Sequence, residues 1–327
     1  MPKRIVVDTD PGVDDALALI LALRSPELKV EAITTVAGNA PVEQVTKNLF
    51  TILELLDPKP SPLVAKGAEG PLKKQLITAT TIHGEDGLGE LFRYRNPDGS
   101  PRYPEPKVPP DLPNAVALIF ELIDRYPQEL TLITLGPLTN LARAILADPQ
   151  RMRRVREVIS MGGAISAPGN ITPVAEFNVF TDPNAAQIVF DSGLPLTLVP
   201  LDVTRKVQLT KELIDAEIRP LHDRLSQFIS DSTARVVEFA PKVEGAEGVI
   251  LHDPLAVGVA IKPSLIKTHW LHVQVETEGH VTEGMTAADL RLIPEERKKP
   301  ANLHVAFEVD VERFMSLFLE RICRRSS

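Results

Sequence analysis

The 327-residue sequence has one cysteine, fewer basic than acidic residues and no long apolar run. Cys323 has no second cysteine to pair with, which is consistent with a reducing compartment. The longest apolar run, residues 16–23, is far shorter than the roughly 20 residues of a membrane span, and the first residues lack the apolar stretch of a signal peptide. The net charge of −8 argues against a nucleic-acid partner, because such a partner needs a basic surface. These absences predict a cytoplasmic protein that binds neither nucleic acid nor a membrane.

What the chain does contain is a regular alternation of strand and helix patterns. Strands are predicted at 5–7, 30–36, 130–135, 155–161, 196–201, 269–276 and 301–309. Helices are predicted at 16–23, 42–56, 115–126, 138–146, 183–191, 254–260 and over most of 213–240. Such alternation indicates βαβ units. We therefore predict an α/β fold, with a doubly wound, mainly parallel central sheet flanked by helices in a single domain over residues 1–327.

Two segments interrupt this alternation. Residues 96–113 contain seven prolines, and because regular alternation continues beyond them they predict a surface loop rather than a linker. Residues 82–89 contain three glycines, but they lack the Lys-Ser/Thr ending of a phosphate-binding loop. This second segment is interpreted as a mobile active-site loop.

Four carboxylates follow the first predicted strand within eight residues: Asp8, Asp10, Asp14 and Asp15. Two unit charges about 4 Å apart repel by roughly 4 kcal/mol at an effective dielectric near 20. A helix dipole stabilises each carboxylate near its N-terminus by only about 0.3–1 kcal/mol, which is less than this repulsion. A hard divalent cation offsets such repulsion, since Ca²⁺ and Mg²⁺ prefer oxygen ligands. The cluster therefore predicts a metal site at the carboxyl end of a core strand.

Other polar residues follow later strands, and in a parallel sheet these loops share one rim with the acidic cluster. Taken singly, each is typical of a turn, a tight backbone or a helix cap. Together they indicate a site. They lie at Asn39 and in segments 135–140, 161–164, 170–178 and 252–254.

The acidic cluster alone leaves more than one chemistry open. An EF-hand calcium loop is excluded, because its sixth and twelfth positions would be Val13 and Leu19 instead of Gly and Glu. A Mg²⁺-dependent phosphatase with an aspartate nucleophile also places two aspartates after its first strand. It remains an alternative, although residues 11–15 do not continue as that class would.

Residues 8–15 (Asp-Thr-Asp-Pro-Gly-Val-Asp-Asp) resemble the signature of the inosine-uridine-preferring nucleoside hydrolase family. The segments Gly-Pro-Leu-Thr-Asn (136–140), Met-Gly-Gly (161–163), Glu-Phe-Asn (176–178) and His-Asp-Pro (252–254) follow in the expected order, so the resemblance covers essentially the whole chain. It implies a Ca²⁺-dependent enzyme that hydrolyses the N-glycosidic bond of ribonucleosides in nucleoside salvage. It also implies a homodimer or homotetramer, and we predict a helical flap at about 213–240.

The same resemblance implies roles for individual residues. The Ca²⁺ ligands would be the side chains of Asp10, Asp15 and Asp253 and the backbone carbonyl of Leu135. The ribose contacts would be Asp14 and Asn178 at the 2′- and 3′-hydroxyls, Asn39 beside them, Asn170 and Glu176 at the 5′-hydroxyl, and Met161 and Phe177 along the sugar. Asp10 would also be the general base toward an activated water. A site that binds hydroxyls in this way should prefer ribose over deoxyribose.

His252 is the candidate acid that protonates the leaving base, because histidine titrates near neutral pH. His83 is a second candidate for this role. Family members that favour inosine bring a tyrosine over the base from the segment before the His-Asp-Pro motif. Between residues 221 and 252 this chain has only Phe228 and Phe239 as large aromatic residues. Pyrimidine nucleosides or a broad range of bases therefore remain open. A non-catalytic ribonucleoside-binding protein is a further alternative, but it would need neither Asp10 nor His252.

Overall fold

The computed structural model describes residues 1–243 and 245–324, which form twelve strands and thirteen α-helices. The strands are β1 (Lys3–Thr9), β2 (Leu28–Thr35), β3 (Leu63–Lys66), β4 (Leu130–Thr134), β5 (Glu157–Met161), β6 (Leu196–Val199), β7 (Gln208–Thr210), β8 (Gly248–Ile250), β9 (Ile266–Leu271), β10 (Val273–Val275), β11 (Thr286–Ala288) and β12 (Leu303–Val309).

The helices are α1 (Val13–Leu23), α2 (Val42–Leu56), α3 (Thr80–His83), α4 (Ala115–Arg125), α5 (Thr139–Ala147), α6 (Pro149–Met152), α7 (Phe177–Thr181), α8 (Pro183–Phe190), α9 (Leu201–Thr204), α10 (Lys211–Leu213), α11 (Arg224–Val243), α12 (His252–Ile261) and α13 (Val311–Cys323). A π turn at Ile214–Ile218 and short 3₁₀ turns at Leu91–Arg93, Arg219–Leu221, Pro263–Leu265 and Glu295–Arg297 complete these elements. Within the described ranges, no helix is both long and apolar enough to span a membrane.

Eight strands form the central sheet in the order β3-β2-β1-β4-β5-β6-β12-β9. All neighbouring pairs are parallel except β12 and β9, which are antiparallel. The order reverses direction between β1 and β4, and open α/β sheets bind ligands at such a switch point. The prediction of a single α/β domain with a mainly parallel sheet is confirmed.

Side chains that alternate along β1 pack into two cores, one on each face of the sheet. Ile5 and Val7 pack with α1, α11, α12 and α13, whereas Val6 packs with α4, α5 and α8. Helix α1 is buried along nearly its whole length, because it lies in the layer that also contains α12. A helix that is apolar all round is expected at such a buried position. The rim above β1 is therefore held by packing on both sides.

Most of the predicted elements are present, and helix α2 begins and ends where it was predicted. The single strand predicted at 269–276 is wrong, because it divides at His272 into β9, in the central sheet, and β10, in a two-stranded ribbon with β11. Asn302 causes the division: its side chain accepts from the N–H of Val273 at 2.8 Å and donates to the carbonyl of Val273 at 2.9 Å. Strand β6 ends at Val199, before the predicted 201, because α9 begins at Leu201.

Asn140 joins three elements below the rim of the sheet. Its Nδ2 donates to Asp8 Oδ1 at 2.7 Å and to the Thr35 carbonyl at 3.0 Å, and its Oδ1 accepts from the Ala68 N–H at 2.8 Å. Because the side chain is buried, its removal leaves these partners without a hydrogen bond.

We expect Asn140→Ala to lower the free energy of unfolding by about 2–4 kcal/mol, since each unsatisfied buried partner costs about 1–3 kcal/mol. Urea denaturation followed by circular dichroism measures this change. Asn96→Ala is the matched control, because Asn96 is exposed and bonds only its own loop. A loss below about 1 kcal/mol in Asn140→Ala would contradict the role assigned to this side chain.

Candidate active site

A pocket lies over the carboxyl ends of β1, β4 and β5, at the switch point of the sheet. It brings together most of the residues that the sequence predicted for a site. Those that line it are Asp14, Asn39, His83, Leu135, Met161, Asn170, Glu176, Phe177, Asn178, His252 and Asp253. Asp10 and Asp15 are buried and contact the pocket residue Asn39 through hydrogen bonds.

Three carboxylates meet where two helices begin. Asp14 and Asp15 lie in the first turn of α1 and Asp253 in the first turn of α12, and they offer oxygens within 4.8 Å of one another. All three residues are buried. The positive ends of two helix dipoles favour negative charge here, but each contributes only about 0.3–1 kcal/mol.

Asp15 accepts hydrogen bonds on both carboxylate oxygens. Its Oδ1 accepts from the Thr9 hydroxyl, and its Oδ2 accepts from the Gly12 N–H at 3.0 Å and from Asn39 Nδ2 at 3.0 Å. Asn39 also donates its backbone N–H to Asp10 Oδ2 at 2.6 Å. Asn39 therefore braces two of the carboxylates, a role that sequence reasoning did not anticipate.

Asp10 is almost completely buried beside these acids. Its Oδ1 is buried without a hydrogen-bond partner, and a Cβ at position 136 would clash with that oxygen, so only glycine fits there. Burial raises the pKa of Asp10 well above its usual range, and the charges of Asp15 and Asp14 raise it further. The site therefore holds more negative charge than its own donors neutralise.

The pKa of Asp253 is also raised well above its usual value, first by burial and then by the charges of Asp15, Asp14 and Asp10. Leu135 adds a carbonyl oxygen at the edge of the pocket, which accepts from Asn178 Nδ2 at 2.6 Å. Buried carboxylates and a carbonyl are the donors that hard cations prefer. The residues present thus fit a divalent metal ion.

Glu176 and Asn170 organise the opposite wall. Glu176 caps α7: its Oε1 accepts from the Asn178 N–H at 2.8 Å, and its Oε2 accepts from the N–H groups of Gly163 at 2.9 Å and Val179 at 3.1 Å. Burial raises the pKa of Glu176, and these N–H groups partly oppose that shift. The Oδ1 of Asn170 accepts from the backbone N–H of the next lining residue, Phe177, at 2.9 Å. The wall is therefore fixed by backbone contacts.

Two histidines lie on the remaining side. His83 Nδ1 accepts from the Val13 N–H at 3.2 Å, which places the proton of the neutral ring on Nε2. His252 Nδ1 lies 2.7 Å from the Thr204 hydroxyl.

Burial lowers the pKa of His83 to about 4, although the charge of Asp15 opposes this shift. Burial and the charge of Arg205 lower the pKa of His252 to about 3, so both rings are neutral near pH 7.

The rest of this side is formed by aliphatic and hydroxyl side chains, which were not predicted individually, although Ile82 begins the predicted active-site loop and Val236 lies in the predicted flap. They include Thr78, Thr81, Ile82, Val236, Val249 and Ile250. Phe228 is instead buried against the edge of Tyr103, and Phe239 lies beside Arg235, so neither lines the pocket.

The fold and the site define an α/β enzyme with a ligand pocket above a buried carboxylate cluster, and comparison with known proteins agrees. The sequence model of the inosine-uridine preferring nucleoside hydrolase family matches residues 5–316. The pyrimidine-specific ribonucleoside hydrolase RihA of Salmonella gallinarum is 38% identical over 323 residues, covering 98% of this chain and 99% of that protein. RihA of Salmonella typhi is 39% identical over the same coverage.

Solved structures give the same result. A plant nucleoside hydrolase matches with a TM-score of 0.88 and 30% identity, covering 99% of this chain and all of that one. A purine-preferring ribonucleoside hydrolase from Gardnerella vaginalis matches with a TM-score of 0.86 and 33% identity, covering 98% of each chain. The chain therefore belongs to the inosine-uridine preferring nucleoside hydrolase family. It is a hydrolase of ribonucleosides, an N-glycosidase that yields ribose and free base.

Proposed function

We propose that the protein is a Ca²⁺-dependent ribonucleoside hydrolase with a preference for pyrimidine bases. The observation that carries the metal dependence is the buried carboxylate cluster directly below the pocket. Asp15 and Asp253 of that cluster would hold the ion, together with the carbonyl of Leu135 and with Asp10, which Asn39 connects to Asp15. The unpartnered Asp10 Oδ1 supports this set. So do the raised pKa values of Asp10 and Asp253, which are caused first by burial and then by neighbouring carboxylates, because a bound cation would offset both effects.

A bound Ca²⁺ would supply Lewis-acid polarisation of a water and a fixed charge beside the ribose hydroxyls. Asp10 is the general base toward the attacking water. Asp14, which belongs to the cluster and lines the pocket, and Asn178 beside it bind the 2′- and 3′-hydroxyls, while Asn170 and Glu176 bind the 5′-hydroxyl. Negative charge near the sugar stabilises the oxocarbenium-like transition state of glycosidic cleavage. Met161 and Phe177 exclude water from the sugar.

The base side supports the pyrimidine preference. Among the described residues that line the pocket there is no tyrosine and no tryptophan. Tyr94 and Tyr103 instead bond Asp231 outside the pocket. His83, His252 and the hydroxyls of Thr78 and Thr81 are the polar groups on this side. The neutral ring of His83, with its proton on Nε2, can donate a hydrogen bond to a carbonyl oxygen of uracil or cytosine. The RihA relatives, which are named pyrimidine-specific, point the same way.

The first test is release of ribose from uridine, cytidine, inosine and adenosine at equal enzyme concentration. We expect kcat/KM for uridine and cytidine to exceed that for the purine nucleosides by about tenfold or more. Equal or higher values for inosine would overturn the base preference without affecting the hydrolase assignment. Absence of cleavage of all four would overturn the proposed function itself.

Removal of metal gives a second test. We expect chelation to abolish uridine cleavage, and Ca²⁺ at about 100 times its Kd to stabilise the fold by about 2.7 kcal/mol, or roughly 4 °C in Tm. Scanning calorimetry with and without chelator measures the shift, and Asp253→Asn should lose it. Mg²⁺ is the control ion, because its smaller octahedral shell fits such sites less readily. Unchanged Tm and activity after chelation would contradict a metal site.

The remaining assignments follow from the same proposal. Segment 213–240 would act as a helical flap on the base side, which Val236 supports by lining the pocket. We further propose a cytoplasmic enzyme of nucleoside salvage that binds no nucleic acid and assembles as a homodimer or homotetramer. Light scattering coupled to size-exclusion chromatography distinguishes these assemblies from a monomer.

A further inference from the structure

The base side of the pocket is assembled from two separate pieces of chain. Segment 78–90 contributes Thr81, Ile82 and His83, while helix α11 contributes Val236. Arg235 precedes Val236 on the helix, and its guanidinium reaches across to segment 78–90. The residues that bind the two pieces together therefore lie behind the pocket surface.

Arg235 contacts segment 78–90 at two points. Its Nη2 donates to the Thr81 carbonyl at 3.1 Å, and its Nη1 lies 3.3 Å from Glu90 Oε1. The side chains of Arg235 and Glu90 are only 23% and 10% exposed. An ion pair that is largely removed from solvent is screened less than a surface pair. The side chain of Arg235 therefore contacts the segment that carries His83 on both sides of that histidine, at Thr81 and at Glu90.

The backbone of the segment lies close to the same helix. Gly89 has φ +76°, and a Cβ there would clash with the Ser232 carbonyl. The Gly89 N–H donates to the His83 carbonyl at 2.7 Å. Glu90 itself has φ +66°, a conformation that a residue with a side chain adopts only when its surroundings hold it. The contacts of Glu90 are therefore part of what maintains this shape.

We propose that the Arg235–Glu90 ion pair positions the base-side wall of the pocket and so sets the affinity for the nucleobase. This inference rests on the proposed function and deepens it. The guanidinium fixes the distance between Val236 and the His83 segment, while its contacts do not reach the acidic cluster or the wall formed by Glu176 and Asn178. Loss of the pair should weaken binding of an intact nucleoside and leave binding of ribose unchanged.

Arg235→Met tests this inference, because methionine keeps an apolar stem and removes the guanidinium. We expect KM for uridine to rise about tenfold, as loss of a hydrogen bond to a charged group predicts. We expect kcat to stay within about threefold and the inhibition constant of D-ribose to stay unchanged. Arg235→Lys keeps the charge near Glu90 but has no fork of donors, so it should give an intermediate KM.

Arg93→Met is the matched control. Arg93 is the other partner of Glu90, at 2.6 Å from Oε2, but its side chain is 63% exposed. This variant should leave KM for uridine unchanged. Glu90→Gln should raise KM in the same direction as Arg235→Met, and the double variant should be no worse than Arg235→Met alone, because both changes break one interaction.

Hydrogen–deuterium exchange provides a readout that does not depend on activity. Exchange in segment 79–90 should be faster in Arg235→Met than in Arg93→Met. If the unmutated protein cleaves no ribonucleoside, the proposed function fails and exchange alone decides the positioning role. An unchanged KM in Arg235→Met, a parallel rise in the ribose inhibition constant, or unchanged exchange would overturn the inference.

Discussion

Asp10→Asn reduces kcat for uridine by roughly 10²–10⁴-fold, the range that a positioned general base contributes. The amide keeps the shape of the side chain and can still accept from the Asn39 N–H, but it cannot take a proton from water. The measurement is kcat at saturating uridine, with Ca²⁺ titrated to saturation in each variant. Titration of Ca²⁺ distinguishes a lower affinity for the ion from the loss of the general base.

Asp8→Asn is the matched control for this experiment. Asp8 lies two residues earlier, near the end of β1, where Thr34 and Asn140 donate to its Oδ1, and an asparagine at this position can keep both bonds. Burial raises the pKa of Asp8 to about 6, and the hydrogen bonds from Thr34 and Asn140 oppose that shift. We expect its kcat to remain within about threefold of the unmutated value. Undiminished turnover in Asp10→Asn at saturating Ca²⁺ would remove Asp10 from the mechanism.

We expect kcat/KM for uridine to be about 10⁴-fold higher than that for 2′-deoxyuridine. Asp14 is 9% exposed and Asn178 is 7% exposed, so both face the pocket from positions that are almost closed to bulk solvent. A substrate that lacks the 2′-hydroxyl cannot make the hydrogen bonds that the site offers to that hydroxyl, and sites built to bond a hydroxyl reject such an analogue by roughly 10⁴–10⁵-fold. Initial rates over a range of concentrations of both nucleosides measure the ratio.

Asp14→Ala tests whether Asp14 is the residue that binds the 2′-hydroxyl. We expect it to lower kcat/KM for uridine toward the value for 2′-deoxyuridine and to change the latter by less than about tenfold. If both nucleosides lose activity equally, Asp14 acts through the carboxylates of Asp15 and Asp253 and not through the sugar. That result would contradict the ribose role and assign Asp14 to the metal cluster.

The sequence predicted the fold well where one local pattern determined the structure. Helix α2 has a clear amphipathic period and prolines after its end, and the structure places it at Val42–Leu56 as predicted. The strand predicted at 269–276 is wrong because Asn302, distant in sequence, takes the place of a strand partner at Val273. Helix α13 and the short strands β3, β7, β8 and β11 were not predicted.

The prediction of the site likewise succeeded where a local sequence pattern was present and failed where contacts between distant residues decide the structure. The acids of residues 10–15 and the later polar motifs were found because carboxyl ends of parallel strands share one rim, and the structure brings these residues together. Their individual roles remain predictions. On the base side, His83, His252 and a flap at about 213–240 were predicted from the sequence. The individual contributions of Val236 and Arg235 were not predicted, because both are ordinary residues of an amphipathic helix. Only the packing of α11 against segment 78–90 shows what they contact.

The carboxylate cluster combines residues that lie far apart in the sequence, and this separation has a consequence for folding during biosynthesis. Asp14 and Asp15 belong to the first helix of the chain, whereas Asp253 begins α12, which a ribosome would release only after most of the other elements. Contacts between such distant segments form late, because closing a long loop costs entropy before the contact forms. A nascent chain would therefore carry the first acids exposed or paired elsewhere, and it could bind its ion in this geometry only when nearly complete. Metal occupancy would then report that folding has finished.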